Sequence, residues 1–200
     1  MALLGGIEAG GTKFVCAVGT GPDDIRATIR IPTTTPEETL AKVVAFFYQQ
    51  TEQLGTLDAI GIGAFGPVDV REKSSTFGWF LDTPKPGWQQ IDFVGVIKRA
   101  FNIPVGFDTD VNAAALGEHQ WGNAQGLETF IYLTVGTGVG GGGMVGGQPI
   151  HGLLHPEMGH IVVPHDLSVD PFPGCCPFHK IVWKGWPLEL PWKKGGAQKE

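Results

Sequence analysis

Ile7-Glu8-Ala9-Gly10-Gly11-Thr12-Lys13-Phe14 is echoed by Thr134-Val135-Gly136-Thr137-Gly138-Val139-Gly140-Gly141-Gly142-Gly143. Glycine lets backbone N–H groups approach an anion closely, and a hydroxyl such as that of Thr12 or Thr137 adds a donor. Apolar runs flank each stretch (Ala2 to Ile7, Phe14 to Val18, Phe130 to Val135), so each reads as a strand-turn-strand hairpin. Two such turns point to one phosphate held from two sides. Either turn alone is equally readable as a tight hairpin with no ligand.

Two familiar glycine motifs compete with this reading. A Walker loop needs Gly-Lys-Ser/Thr opening a helix, whereas Lys13 follows Thr12 and leads into the strand-like Phe14-Val15-Cys16-Ala17-Val18. Gly136, Gly138 and Gly141 satisfy G-x-G-x-x-G after a strand. A dinucleotide site needs a helix next, and a run of glycines followed by Val145-Gly146-Gly147 is a poor helix start.

The 200-residue chain has length for one good core or two small ones. Its formal charge is −6, with Lys and Arg scattered until the C-terminal end, which argues against a nucleic-acid or anionic-membrane surface and for small-molecule partners. The apolar opening Met1 to Gly6 lacks a basic leader, and no later apolar run is long enough to span a bilayer. The expectation is a soluble, cytoplasmic protein. Cys16, Cys175 and Cys176 are an odd set, which disfavours a disulfide scaffold and leaves Cys16 to the core.

Periodicity predicts strands near residues 3–9, 13–19, 25–31, 58–64, 104–108, 129–135 and 139–145. A helix starts at Thr35 as N-cap, with Pro36 at the first helical position, Glu38 completing a capping box, and a buried stripe of Leu40, Val43, Val44 and Phe47. A second helix spans about Asp92 to Ala100, burying Phe93, Val96 and Ile97; a third begins near Val111. Three antiparallel strands followed by helix, strand, helix, strand, helix is the order of an α/β, RNase-H-like domain.

Chemistry in such a domain sits where a strand ends and a helix begins, and Phe107-Asp108-Thr109-Asp110-Val111-Asn112 is such a junction. A carboxylate there can accept the proton of a hydroxyl as it attacks a phosphoryl group. The same carboxylates could simply cap the helix holding Ala113-Ala114-Ala115. The reading assigns Asp108 or Thr109 to local structure and Asp110 to chemistry.

Taken together, Glu8-Ala9-Gly10-Gly11-Thr12-Lys13, Gly63-Ala64-Phe65-Gly66-Pro67-Val68-Asp69, Asp108 through Glu118 and Glu157-Met158-Gly159-His160 resemble the ROK sugar kinases. Thr83-Pro84-Lys85-Pro86-Gly87-Trp88 and Cys176-Pro177-Phe178-His179 resemble the bacterial fructokinase branch. The resemblance covers about residues 4 to 179. It implies an actin/hexokinase-type ATPase fold in which ATP with Mg²⁺ phosphorylates the 6-hydroxyl of a hexose between two lobes. Residues 1–118 would form the N-terminal lobe and 119–179 the start of a second. By position it makes Asp110 the catalytic base. Gly10, Gly11, Thr12, Lys13, Thr134, Gly136, Thr137 and Gly138 become phosphate ligands. Gly66, Pro67, Thr109, Asp110, Glu157 and His160 become the sugar side. Many relatives carry asparagine where this chain has Thr109, and a threonine offers fewer hydrogen bonds than an amide. The preferred hexose is D-fructose by family analogy, with mannose or glucose as alternatives. A sugar-sensing repressor of the family would need a DNA-binding helix-turn-helix ahead of the phosphate hairpin, on which this chain opens.

The resemblance also implies a structural zinc held by His160, Cys176 and His179. Imidazole and thiolate suit zinc, and a structural site needs four ligands. Relatives place a cysteine three residues after His179, where this chain has Val182, so the fourth ligand is missing.

From Lys180 to Glu200 the composition shifts to three tryptophans, two prolines and five lysines with no helical or strand period. A disordered tail is one reading, although tryptophan is unusual in disorder. A changed reading frame is the other. Codons for this tail can be chosen so that, with one adenine restored near Lys180, the adjacent frame encodes KDCLEGLASGAAMEKRWGTKG, which continues the family pattern and restores the cysteine. The expectation is a frameshifted truncation whose second lobe, adenosine side and part of the homodimer surface are lost, leaving an impaired sugar-binding remnant as the alternative to an active kinase.

Overall fold

The computed structural model describes residues 1–135, 139–152, 155–156, 158–159, 166 and 168. Its elements run β1 (Leu4–Ala9), β2 (Lys13–Gly21), β3 (Asp24–Pro32), α1 (Pro36–Leu54), β4 (Ala59–Ala64), β5 (Trp79–Phe80), β6 (Ile91–Asp92), α2 (Phe93–Phe101), β7 (Val105–Thr109), α3 (Asp110–Trp121), β8 (Phe130–Val135), β9 (Val139–Val145) and β10 (Gln148–Pro149). All seven expected strands and three expected helices are present. The short β5 and β6 carry too little period to have been read from sequence.

Five strands form one sheet in the order β3-β2-β1-β4-β7. β1, β2 and β3 are antiparallel neighbours, while β4 lies parallel to β1 and β7 parallel to β4. This is the RNase-H-like order expected from the run of elements. A separate three-stranded sheet is ordered β10-β9-β8. The chain divides into two compact units, one of Met1–Tyr132 with Gly142–Pro156 and one of Leu133–Gly141 with Glu157–Glu200. The five-stranded sheet belongs to the first.

Alternation of apolar residues along β1 and β2 buries Ile7, Ala9, Phe14, Cys16 and Val18 on one side of the sheet. Burial in that core pushes the Cys16 thiol up to about 12, which makes it a packing group rather than a nucleophile. The α1 helix lays Leu40, Val43, Phe46 and Phe47 into the core, with Val44 only partly buried at its margin. Its stripe is therefore wider than expected on the Phe46 side. Thr35 accepts a hydrogen bond from the Glu38 amide at 3.3 Å, as an N-cap should, but the capping box does not close as expected. The Glu38 carboxylate instead accepts from the Thr34 hydroxyl at 2.8 Å. In α2, Phe93, Val94 and Ile97 are the buried residues and Val96 is partly buried; Asp92 caps it by accepting from the Gly95 amide at 2.8 Å.

Between β4 and β6 the chain folds on itself around one carboxylate. Asp69 has no exposed side-chain surface and accepts from the Arg71 guanidinium, the Arg71 amide and the hydroxyls of Ser74 and Thr76 at 2.6–3.0 Å. Those bonds, the Arg71 pairing first among them, hold its carboxyl far below the usual carboxylate range despite burial. The clasp fixes the segment that leaves the Gly66-Pro67 peptide, which is cis.

Candidate functional site

The parallel pairing sets three strand ends at one level. Ala9 of β1 faces Ala64 of β4, and Ala64 faces Thr109 of β7. The Gly10-Gly11-Thr12 turn, the Phe65-Gly66-Pro67 loop and the start of α3 at Asp110 therefore leave the sheet side by side. The carboxyl ends of parallel strands are where open α/β sheets place their ligands.

The glycine turn is shaped by its own backbone. The Gly10 amide donates to the Lys13 carbonyl at 3.0 Å, and a Cβ at Gly10 would sit only 2.8 Å from that same oxygen. A Cβ at Gly11 would meet nothing within 4 Å, which leaves that face bare backbone. The turn is braced from outside by Thr33, whose amide donates to the Thr12 carbonyl at 3.0 Å and whose hydroxyl donates to the Gly10 carbonyl at 2.7 Å. Gly10 and Gly11 are half-buried, and Thr12 and Lys13 are exposed. A second tie, from the Phe65 amide to the Ala9 carbonyl at 2.8 Å, carries the pairing of β1 and β4 into the Gly66-Pro67 loop.

Thr109 is the N-cap of α3: its hydroxyl accepts from the Asn112 amide at 3.2 Å, and the residue is 3 % exposed. Asp108 joins the same local structure, accepting on one oxygen from the Thr109 amide at 2.7 Å and from the Asn112 side-chain amide at 2.9 Å. Both residues offered for local structure thus serve it, and Asp110 stands as the half-buried carboxylate of the junction.

Asp110 is placed by an absence. Glu8, Gly63 and Asp108 lie in register on β1, β4 and β7, so they share one face of the sheet. Gly63 offers no side chain between the two acids, and the first turn of α3 drops into that slot. A Cβ on Gly63 would come 2.6 Å from the Ala113 methyl and 3.3 Å from the Asp110 Cα. From another side, a Cβ on Gly142 of β9 would meet the Val111 carbonyl oxygen at 2.5 Å. The first turn of α3 is thus seated between two bare backbones. Burial pushes the Asp110 carboxyl above the ordinary carboxylate range and the negative Glu8 adds to it, while the Val111 amide (2.9 Å) and His155 pull the other way. A carboxylate raised in this way and held at the mouth of a glycine turn is suited to take a proton from a hydroxyl.

Other expected site residues divide into those with a place and those without. Thr134 is the last residue but one of β8 and is exposed. Gly136, Thr137, Gly138, Glu157, His160, Cys176 and His179 lie outside the described residues, as does the tail from Lys180 to Glu200. Among the described residues no group of three or more His, Cys, Asp or Glu could hold a metal. No helix among them is long and apolar enough to cross a membrane.

With this geometry in view, the profile of the ROK family matches residues 4–184. The chain belongs to the ROK family. It is 48% identical over 185 residues to a fructokinase of Zymomonas mobilis, covering 92% of this chain and 61% of that protein. A Streptococcus mutans fructokinase is 46% identical over 185 residues, again covering 92% of this chain and 61% of the relative. A ROK glucokinase from Streptomyces griseus, solved with glucose and AMPPNP, superposes with a TM-score of 0.69 at 29% identity, over 92% of this chain and 55% of that one. The fold is therefore the ATPase fold of ROK hexokinases, and the chain spans about three fifths of the length of these fructokinases.

Two residues that matter here were not singled out from sequence. Gly63 was quoted only as part of a motif, and its role as the seat of α3 depends on pairing across three strands. His151 belongs to none of the motifs quoted from the sequence, yet its Nε2 lies 2.8 Å from the second oxygen of Asp108. No local spacing signals a partner in a strand on the other side of α3.

Proposed function

We propose that this ROK protein transfers the γ-phosphoryl group of ATP to the 6-hydroxyl of a hexose, with D-fructose as substrate and fructose 6-phosphate as product. The observation that carries this reading is the common level of the three strand ends, which sets Asp110 beside the glycine turn. ATP, bound with Mg²⁺, supplies the phosphoryl donor. Gly10, Gly11 and Thr12, whose bare backbone fits an anion, would cradle its phosphates together with Lys13, Thr134, Gly136, Thr137 and Gly138. The oxygen donors at this corner, Asp110 among them, are of the type that suits magnesium.

Gly66 and Pro67 would shape the sugar side, with Thr109, Glu157 and His160 as further sugar-side residues. Asp110 takes the proton of the 6-hydroxyl as that oxygen attacks the γ-phosphorus and the bond to ADP breaks, and it is regenerated by passing the proton to solvent. Residues 1–118 would act as the sugar-and-base lobe and 119–179 as the opening of the second. Preference for fructose over glucose is supported by the likeness to the two fructokinases named above. The test is ADP release from ATP in the presence of fructose, glucose or mannose, beside calorimetric binding of each sugar. Fructose-dependent turnover exceeding that with the other two is the expected result. Fructose binding without ADP release would assign the chain to the sugar-binding reading instead.

The zinc reading rests on sequence. With His160, Cys176 and His179 as three of four ligands and Val182 in the fourth place, metal-stripped and reloaded protein is expected to retain less than one tight equivalent. A full equivalent resistant to chelator would show that another group completes the site.

A further inference from the structure

We propose that His151 is a positioning residue for phosphoryl transfer, holding through Asp108 the turn that carries Asp110. The proposal rests on the kinase reading above and adds to it a residue outside the reacting groups.

The Asp108 carboxylate is shared by three parts of the fold. One oxygen accepts from the Thr109 amide of β7 and from the Asn112 side chain in the first turn of α3. The other meets His151 Nε2 at 2.8 Å, from the segment that follows β10. Asp108 keeps 13% of its side chain exposed and His151 keeps 40%. Imidazole therefore covers the outer oxygen of a largely enclosed acid.

The histidine is itself held. The Ile150 amide, one residue before it, donates to the Gly143 carbonyl at 2.8 Å. The adjacent Gly142 packs against the Val111 carbonyl. The backbone carrying His151 is thus tied to β9, and β9 abuts the α3 turn. Two fastenings, Gly142 against Val111 and His151 on Asp108, thus converge on the turn, one residue after Asp110 and two before it.

Charge gives the pairing a second purpose. Glu8, Asp108 and Asp110 gather at one corner of the sheet, and Glu8 already disfavours ionisation of Asp110. Asp108 stands two residues before the base, so it adds a third carboxyl to this corner. A donor fixed on its outer oxygen keeps Asp108 oriented and offsets its charge.

The test uses the full chain and its His151→Ala, His151→Gln and Asp108→Ala/His151→Ala forms, read by amide hydrogen exchange across residues 108–113 and by steady-state kinetics. His151→Ala is expected to speed exchange there several-fold and to lower kcat roughly ten- to a hundredfold, with little change in KM for ATP. His151→Gln, which still offers a donor, should recover most of both. The double variant should cost little more than Asp108→Ala alone, since both changes remove the same contact. Should Asp108→Ala fail to fold, the two His151 variants decide. Unchanged exchange in His151→Ala, or faster exchange with unaltered kcat, would overturn the proposal. Absence of turnover in the unmodified chain would instead count against the kinase reading, while exchange would still judge the contact.

Discussion

Asp110→Asn is expected to lower kcat by roughly a hundredfold to ten-thousandfold, the range a positioned general base supplies, while hexose binding persists. The amide keeps the shape of the carboxylate, and its oxygen can still accept from the Val111 amide, which lies 2.9 Å from the native oxygen. The capacity to take a proton is removed together with the negative charge. The same substitution should leave the protein as stable or make it more stable. Burial and Glu8 hold the folded-state pKa of Asp110 above its unfolded value. The native state therefore binds this proton more tightly than the unfolded chain does. Its contribution to stability is fully present below the unfolded pKa and is lost as pH rises through the folded pKa, so at neutral pH the ionised group is a cost. The same shift sets the acid limb of kcat/KM, which reports the free enzyme, above the ordinary carboxylate range. Asp110→Asn should remove that limb from the residual turnover while thermal unfolding at pH 7 moves upward or stays put. Retained turnover in the variant would remove Asp110 from the base role.

The α/β class, the succession of strands and helices along the chain and the helix starts were legible because each rests on local signals. Alternation along β1 and β2, the Thr35-Pro36 cap and the Asp-Thr-Asp junction all act within one or two turns of chain. The register that brings Ala9, Ala64 and Thr109 level was not legible, because pairing between β1, β4 and β7 is a long-range choice. The seat of Asp110 follows from that register: Gly63 matters only once Glu8 and Asp108 flank it. His151 was not legible for the same reason, since its partner in β7 is distant in sequence. The Asp69 clasp is different. Asp69, Arg71, Ser74 and Thr76 lie within eight residues, and that spacing of one acid with one base and two hydroxyls was a local signal for a tight polar turn.

Trp88→Ala is expected to destabilise the protein by about 3–5 kcal/mol, a large part of the roughly 5–15 kcal/mol that holds a domain together. The Pro84-Lys85-Pro86-Gly87-Trp88 segment entered as a mark of the fructokinase branch, and the structure shows what its tryptophan does. Trp88 is fully buried, with ring centroids of Phe80, Phe14 and Phe65 at 5.2, 5.3 and 5.9 Å. Its indole N–H donates to the Thr34 carbonyl at 2.8 Å, and the Lys85 ammonium donates to the Thr33 carbonyl at 3.1 Å. The segment is thus a strap across the start of α1, anchored by one large side chain in the core. Truncation to alanine opens a cavity among three phenylalanines and strands the Thr34 carbonyl. Trp88→Phe should cost less, because a ring still fills most of the space and only the donor is lost, about 1–3 kcal/mol. Urea unfolding separates the two, and a midpoint unchanged in Trp88→Ala would show that the strap carries no weight. The effect should also reach the site. Thr33, whose carbonyl Lys85 holds, braces the Gly10 turn, and Phe65 stands between Ala64 and the Gly66-Pro67 loop. A Trp88 variant folded enough to assay should therefore bind ATP and hexose more weakly together, whereas loss of a group that touches sugar alone would weaken hexose binding and leave ATP unaffected.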